Sequence, residues 1–313
     1  MKNIDFLMLN NHQKFFCLFS LVGYSFLFIF VCAILRVIIN YCLFYRIGET
    51  KRYAETGAYR RDNKYDNRIS CFVFSRRNAL FELAINKMKN IIITGTSRGI
   101  GFELVQQLAS LGHNILALSR HSATIEALNL PNVHCIPFDI TLASDREAVG
   151  HFVKGQWQKV DILIHNAGRL INKPFEELTE EDFLEVYKVN VFGVAQLTRQ
   201  LLPFMEKGTH VVSISSMGGI QGSLKFGGLA AYSSSKGALI TLSELLAEEY
   251  KERGIIFNTL ALGAVQTEML AEAFPDYKAN ISPQEMAHYI ADFAFNGSKV
   301  FNGKVLQVAN TTP

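Results

Sequence analysis

Residues 90–101 read Asn90-Ile91-Ile92-Ile93-Thr94-Gly95-Thr96-Ser97-Arg98-Gly99-Ile100-Gly101. A short β-branched run of this kind suits a parallel strand buried on both faces. Beyond it, Phe102, Leu104, Val105, Leu108 and Leu111 recur at helical spacing, and Gly112 follows as a C-cap. The glycines therefore fall in a turn between a strand and a helix, the unit from which parallel α/β sheets are assembled.

The same alternation continues downstream. Strands are expected at Asn114–Ser119, Val133–Asp139, Val160–His165, His210–Ser215, Ile255–Ala261 and Lys304–Val308. Helical patterns fall around Thr124–Leu128 and Ser144–Trp157, as one long helix over Glu180–Met205, then at Tyr232–Glu252 and near Pro283–Phe295. Strands separated by helices of this length predict an α/β fold: one doubly wound parallel sheet covered on both faces. There is no internal repeat and no low-complexity tract.

In such sheets ligands sit beyond the carboxyl ends of the strands. The glycine turn is there, spaced GxxxGxG rather than GxGxxG. Gly95 serves the tight turn, Gly99 the approach of a pyrophosphate, and Gly101 close packing of the helix, whose N-terminal N–H groups face the phosphates. An NAD site places an acid about 20 residues past the glycines to hold a ribose hydroxyl. Here that strand ends Ser119-Arg120-His121, and the nearest acid is Glu126. Arg120, with Arg98 as a second cation, suits a 2′-phosphate. Asp139 stands where a third strand would meet an adenine, and Asn166-Ala167-Gly168 turns beyond the fourth. Ser215 and Ser216 end the fifth, where a hydroxyl can donate to a carbonyl oxygen that gains charge.

Tyr232 and Lys236 are four apart, one turn from each other on a helix face. An ammonium about 5 Å from a phenol favours the phenolate by roughly 3 kcal/mol at an effective dielectric of about 20. The expectation is a Tyr232 pKa brought down toward neutral pH, so that it works as acid and base.

Residues 88–313 resemble the short-chain dehydrogenase/reductases, through TGTSRGIG (94–101), NAG (166–168), VN (189–190), SISS (213–216) and YSSSK (232–236). The resemblance implies a single Rossmann-type domain and a tetrad. In it Asn190 anchors a water in a proton relay, Ser216 orients the carbonyl, Tyr232 is the acid/base, and Lys236 lowers its pKa and binds the nicotinamide ribose. It implies NADP(H) on Gly95, Thr96, Ser97, Arg98, Gly99, Ile100, Gly101, Arg120, Asp139, Asn166, Ala167, Gly168, Tyr232, Lys236 and Thr267. A homo-oligomer, dimer or tetramer, is also implied. Three departures bear on the pocket. His165-Asn166 replaces an asparagine pair. Leu262-Gly263 replaces Pro-Gly, which predicts a looser turn. The glycine-rich loop from Ser216 to Tyr232 is longer by about three residues.

The expected activity is NADPH-dependent reduction of a carbonyl compound, or the reverse alcohol oxidation. The alternatives are a non-catalytic NADPH-binding regulator and a membrane-anchored reductase of a lipid-like substrate. The lid expected over Ala264–Ile281 carries Met269, Leu270, Phe274 and Tyr277, an apolar wall.

The first 87 residues differ in character. They hold 13 Lys and Arg against 6 Asp and Glu, whereas residues 88–313 hold 18 against 22. The larger part thus has no basic surplus for nucleic acid. Four of the five cysteines lie in the first part, at 17, 32, 42 and 71, and none is spaced for zinc or a disulfide framework. No metal site is expected. Phe15–Leu35 is uncharged and long enough to span a bilayer, and the arginines and lysines after it place its C-terminal side in the cytoplasm. Met88 stands two residues before the first strand, where members of this family begin. The favoured expectation is an over-extended start and a cytoplasmic enzyme; a genuine 1–87 extension would make it membrane-anchored.

Overall fold

The computed structural model describes residues 88–309. The hydrophobic segment 15–35 and the question of the true start lie outside that range. Among the described residues no helix is long and apolar enough to cross a membrane, and no group of His, Cys, Asp and Glu is placed to hold a metal ion.

Seven parallel strands form one sheet in the order β3-β2-β1-β4-β5-β6-β7. They are β1 (Asn90–Thr94), β2 (Asn114–Ser119), β3 (Val133–Pro137), β4 (Val160–His165), β5 (Met205–Ser216), β6 (Ile256–Leu262) and β7 (Lys304–Val308). The helices are α1 (Gly99–Ser110), α2 (Ala123–Glu126), α3 (Ala143–Phe152), α4 (Glu180–Tyr187), α5 (Val194–Leu201), α6 (Ala230–Glu249), α7 (Glu268–Ala273) and α8 (Pro283–Asn296). The chain order reverses at β1, between β2 and β4, which opens a crevice at the strand ends.

Successive strand residues point to opposite faces, so the isoleucine run of β1 feeds two cores. Ile91 and Ile93 join α1 and α8 through Leu104, Leu108, Ile290 and Phe293. Ile92 joins α3, α5 and α6 through Val149, Leu197, Leu201 and Leu239. All three isoleucines are fully buried. This two-sided burial accounts for a β-branched run without polar alternation.

The expected elements are present, with three corrections. The single helix expected over Glu180–Met205 is broken: a π-helical turn at Lys188–Gly193 separates α4 from α5, and Pro203 lies in a 3-10 turn that ends the run at Phe204. Strand β5 accordingly starts at Met205 rather than His210. Strand β3 ends at Pro137, so Asp139 lies two residues past it, in a turn where its carboxylate accepts from Thr141 N at 2.9 Å and Thr141 Oγ1 at 2.7 Å. Gly112, at φ +83°, is the left-handed residue just after α1, as its sequence position suggests.

Candidate active site

A cavity of about 1210 Å³ opens across the carboxyl ends of the strands, lined by Gly95, Arg120, Asp139, Asn166, Ser216 and Gly263 from the turns after β1 to β6. Single ligand pockets commonly measure about 300–1,000 Å³. This one has room for a large cofactor beside a substrate.

The glycine turn is shaped by contact. A Cβ on Gly101 would stand 2.1 Å from the Gly95 carbonyl oxygen, and one on Gly95, at φ +73°, would stand 2.7 Å from Ala167 Cα. Glycine is therefore required for α1 to enter so close beneath its own turn. Asn166 fastens the arrangement, its Nδ2 donating to Thr94 O at 3.1 Å and Gly95 O at 2.9 Å. Thr94 Oγ1 accepts from Asn166 N and Ala167 N. Gly95, Ser97, Arg98, Gly99 and Ile100 face the cavity. Thr96 is buried and Gly101 packs behind the turn. Helix α1 begins with no capping side chain and no acid in its first turn. Its leading N–H groups are those an anion would use. The cradle, the uncapped helix and the cavity volume fit a dinucleotide.

Arg120 is exposed at the cavity and makes no ion pair among the described residues. Arg98 differs from expectation. Its guanidinium is engaged by Glu272 of α7, with Nη2 donating to Oε2 at 3.0 Å and Nη1 to Oε1. The pair spans 174 residues, so no local pattern announces it.

Helix α6 brings Tyr232 and Lys236 to the cavity wall. Lys236 is buried, and its Nζ donates to Ile214 O at 2.8 Å and stands 5.7 Å from the centre of the Tyr232 ring. A Cβ on Gly168 would lie 3.5 Å from that Nζ and 3.7 Å from Asn190 Oδ1. Asn190 is fully buried in the π-helical turn. Its Oδ1 accepts from Arg169 N at 2.8 Å, and its Nδ2 donates to Arg169 O and to Ser235 Oγ, each at 2.9 Å. The side chain thus braces the strand-end loop against α6.

The two serines at the end of β5 separate clearly. Ser215 is buried and its hydroxyl donates to Lys236 O at 2.9 Å. Ser216 faces the cavity beside Tyr232, whose pKa its hydroxyl pulls down, and accepts from Gly218 N at 3.2 Å. The long loop that follows is organised by Lys225, which sequence reasoning missed. Its ammonium donates to Gly218 O at 2.7 Å, Ile220 O at 2.6 Å and Ser223 Oγ at 2.9 Å.

The electrostatics correct the expected tyrosine shift. Burial pushes the Tyr232 phenol up to about 12, against a weaker downward pull from Ser216. Partial exposure of the residue to the cavity softens that desolvation. Burial also lowers Lys236 to about 8. The ammonium is aimed at a backbone carbonyl and sits beside the ring, so desolvation outweighs the charge attraction for both groups.

Past β6, Gly263 N donates to Val308 O at 2.9 Å, so the turn without proline is pinned rather than loose. Thr267 caps α7 through its hydroxyl and presses Cγ2 toward Gly99. Met269, Leu270, Phe274 and Tyr277 line the cavity, as expected of the lid. His165 is buried, Nε2 lies 2.9 Å from Thr198 Oγ1, and burial lowers its pKa to about 3.

Comparison with known proteins agrees with this geometry. The family model described as short chain dehydrogenase matches residues 89–278. The 3-oxoacyl-(acyl-carrier-protein) reductase FabG of Escherichia coli K12 is 27% identical over 233 residues, covering 70% of this chain and 95% of that protein. Among solved structures, the 3-ketoacyl-(acyl-carrier-protein) reductase of Brucella melitensis complexed with NADH superposes with a TM-score of 0.63 at 25% identity, over 70% of this chain and 96% of that one. A short chain dehydrogenase of Burkholderia cenocepacia in complex with NADP gives 0.64 at 25% identity, over 72% and 97%. With its Rossmann-type sheet and a family model matched from the first strand through the lid, the chain belongs to the short-chain dehydrogenase/reductase family of oxidoreductases.

Proposed function

We propose that residues 88–313 form an NADPH-dependent carbonyl reductase, running alcohol oxidation in reverse, with Asn190, Ser216, Tyr232 and Lys236 as its working groups. The observation that carries the reading is the convergence of Ser216, Tyr232 and Lys236 on the cavity that the glycine cradle also lines. NADPH, when bound, supplies the hydride. The protein orients the carbonyl and manages the proton. Ser216 donates to the carbonyl oxygen as charge develops there. Tyr232, held protonated at neutral pH by its burial, gives that oxygen its proton. Lys236, charged below about pH 8, then stands beside the ring to stabilise the phenolate left behind. Asn190 holds the loop carrying Gly168 and Arg169 against α6.

The NADPH preference rests on Arg120, a cation where an NAD site would carry an acid. Asp139 and Asn166-Ala167-Gly168 complete the cofactor wall in this reading, and Thr267 closes it from the lid. The substrate is a small carbonyl or alcohol compound taken under the lid. The homo-oligomer is supported by exposed Leu184, Phe192 and Leu245 on α4, the π-helical turn and α6. The reading keeps the reaction in the reducing cytoplasm.

The test is to follow NADPH and NADH oxidation against β-keto thioesters, simple ketones and keto sugars. The reading expects at least one carbonyl class to be reduced, faster with NADPH. Cofactor binding with no turnover on any class would favour the regulator instead.

A further inference from the structure

Helix α7 turns its acids toward the phosphate cradle. Glu272 grips the Arg98 guanidinium with both carboxylate oxygens. One turn earlier, Glu268 Oε2 lies 3.3 Å from where a Cβ on Gly99 would be, against the first residue of α1. Helix α1 supplies no anion of its own there. Both carboxylates raise the pKa of Arg98, Glu272 more than Glu268. The far end of α7 is tied down as well, by Asn172 Nδ2 donating to Ala273 O at 2.7 Å. Two carboxylates of the lid thus stand at the two places where the cradle would receive anions: the start of α1 and the Arg98 side chain.

We propose that Glu268 and Glu272 are an internal counter-anion for the phosphate cradle, displaced by the cofactor's phosphates, so that cofactor binding releases the lid. The proposal rests on the reading of this cradle as the NADP(H) site. The Arg98–Glu272 pair is half exposed, at 49% and 62%. Ion pairs so wet hold weakly, and a phosphate offers Arg98 more charge than a carboxylate does. The acids therefore tune cofactor affinity rather than block the site. Glu272 answers to the 2′-phosphate through Arg98, and Glu268 answers to the pyrophosphate at α1. Met269 and Leu270, on the same helix, line the same cavity. Exchange of anions at one end of α7 thus acts on the helix that carries Met269 and Leu270 into the cavity.

The experiment titrates NADPH and NADH into the full chain and its Glu272→Gln, Glu268→Gln and Glu272→Asp variants, read by cofactor fluorescence without substrate. Glu272→Gln should tighten NADPH at least threefold and change NADH less than twofold. Glu268→Gln should tighten both dinucleotides alike. Glu272→Asp, which keeps the charge, should stay near the unaltered protein, and circular dichroism checks that each variant folds. Unchanged or weaker dinucleotide binding in both glutamine variants overturns the proposal, as does an aspartate variant that behaves like the glutamine one. Equal affinity of the unaltered protein for NADPH and NADH would sink the 2′-phosphate reading instead. The Glu268→Gln arm, which reports on the pyrophosphate, still decides the counter-anion in that case.

Discussion

Replacing Lys236 by methionine should make this protein more stable while disabling it. Lys236 is an ammonium in a fully buried position, with one hydrogen bond to Ile214 O. Burial brings its pKa from the ordinary 10.5 down to about 8. At about 1.4 kcal/mol per pKa unit, keeping the charge folded at pH 7 costs roughly 3 kcal/mol. Methionine fills a similar volume without charge, and loses one hydrogen bond worth about 1 kcal/mol. Lys236→Met should therefore gain about 2 kcal/mol at pH 7. Between pH 8 and 10.5 the unfolded chain binds a proton that the folded one does not, so the stability of the unaltered protein rises with pH across that window. The advantage of the variant should shrink over the same interval, vanish near about pH 9.5 and turn into a deficit of about 1 kcal/mol, the lost hydrogen bond, at its upper end. Tyr232 titrates in both proteins and largely cancels in the difference. Urea unfolding followed by the single tryptophan, Trp157, at pH 7, 8, 9 and 10 gives the comparison. A variant less stable at pH 7, or a difference that does not change with pH, would refute the account of Lys236 as a charge held at a cost.

Two further outcomes follow from the same site. The unaltered protein should favour NADPH over NADH at least tenfold in kcat/KM, a difference of only about 1.4 kcal/mol; Arg120→Asp should narrow or invert the ratio, and equal rates with both cofactors before mutation would count against Arg120. His165 is held neutral, its pKa lowered to about 3 by burial, so as pH falls below 6.5 the unfolded chain gains a proton that the folded one refuses. That site costs about 1.4 kcal/mol of stability per pH unit of acidification, and His165→Asn should remove this slope in acid denaturation; an unchanged slope would show that His165 does not govern it.

Much of the fold was legible because its signals are local. The β1 run, the glycine turn and α1 are contiguous, and two-sided burial leaves a pattern that periodicity detects. Gly101 was readable for the same reason: its neighbour, the Gly95 carbonyl, belongs to the same turn. The break at Lys188–Gly193 was not readable. Residues 188–193 contain no proline and a single terminal glycine, and the π-helical turn is defined by what Asn190 reaches across space, Arg169 and Ser235. The tyrosine shift was misjudged because spacing gives the distance between two groups and says nothing of their desolvation. Arg98 stands in the glycine turn and faces the cavity, but its carboxylate partner lies far along the chain and left no mark in the local sequence. Lys225 looked like an ordinary loop lysine, and only the folded loop brings three oxygens around it.

The central claim is that Tyr232 delivers the proton, while most of the hold on the cofactor comes from the glycine cradle. The direct measurement is Tyr232→Phe, with turnover on an accepted carbonyl substrate and NADPH affinity determined on the same preparation. Proton transfer by a positioned side chain is typically worth about 10²–10⁴-fold. The account predicts that kcat falls at least about a hundredfold while the NADPH Kd stays within about threefold of the unaltered protein, since the phenol hydroxyl is not part of the glycine cradle. Near-normal turnover in Tyr232→Phe would contradict it.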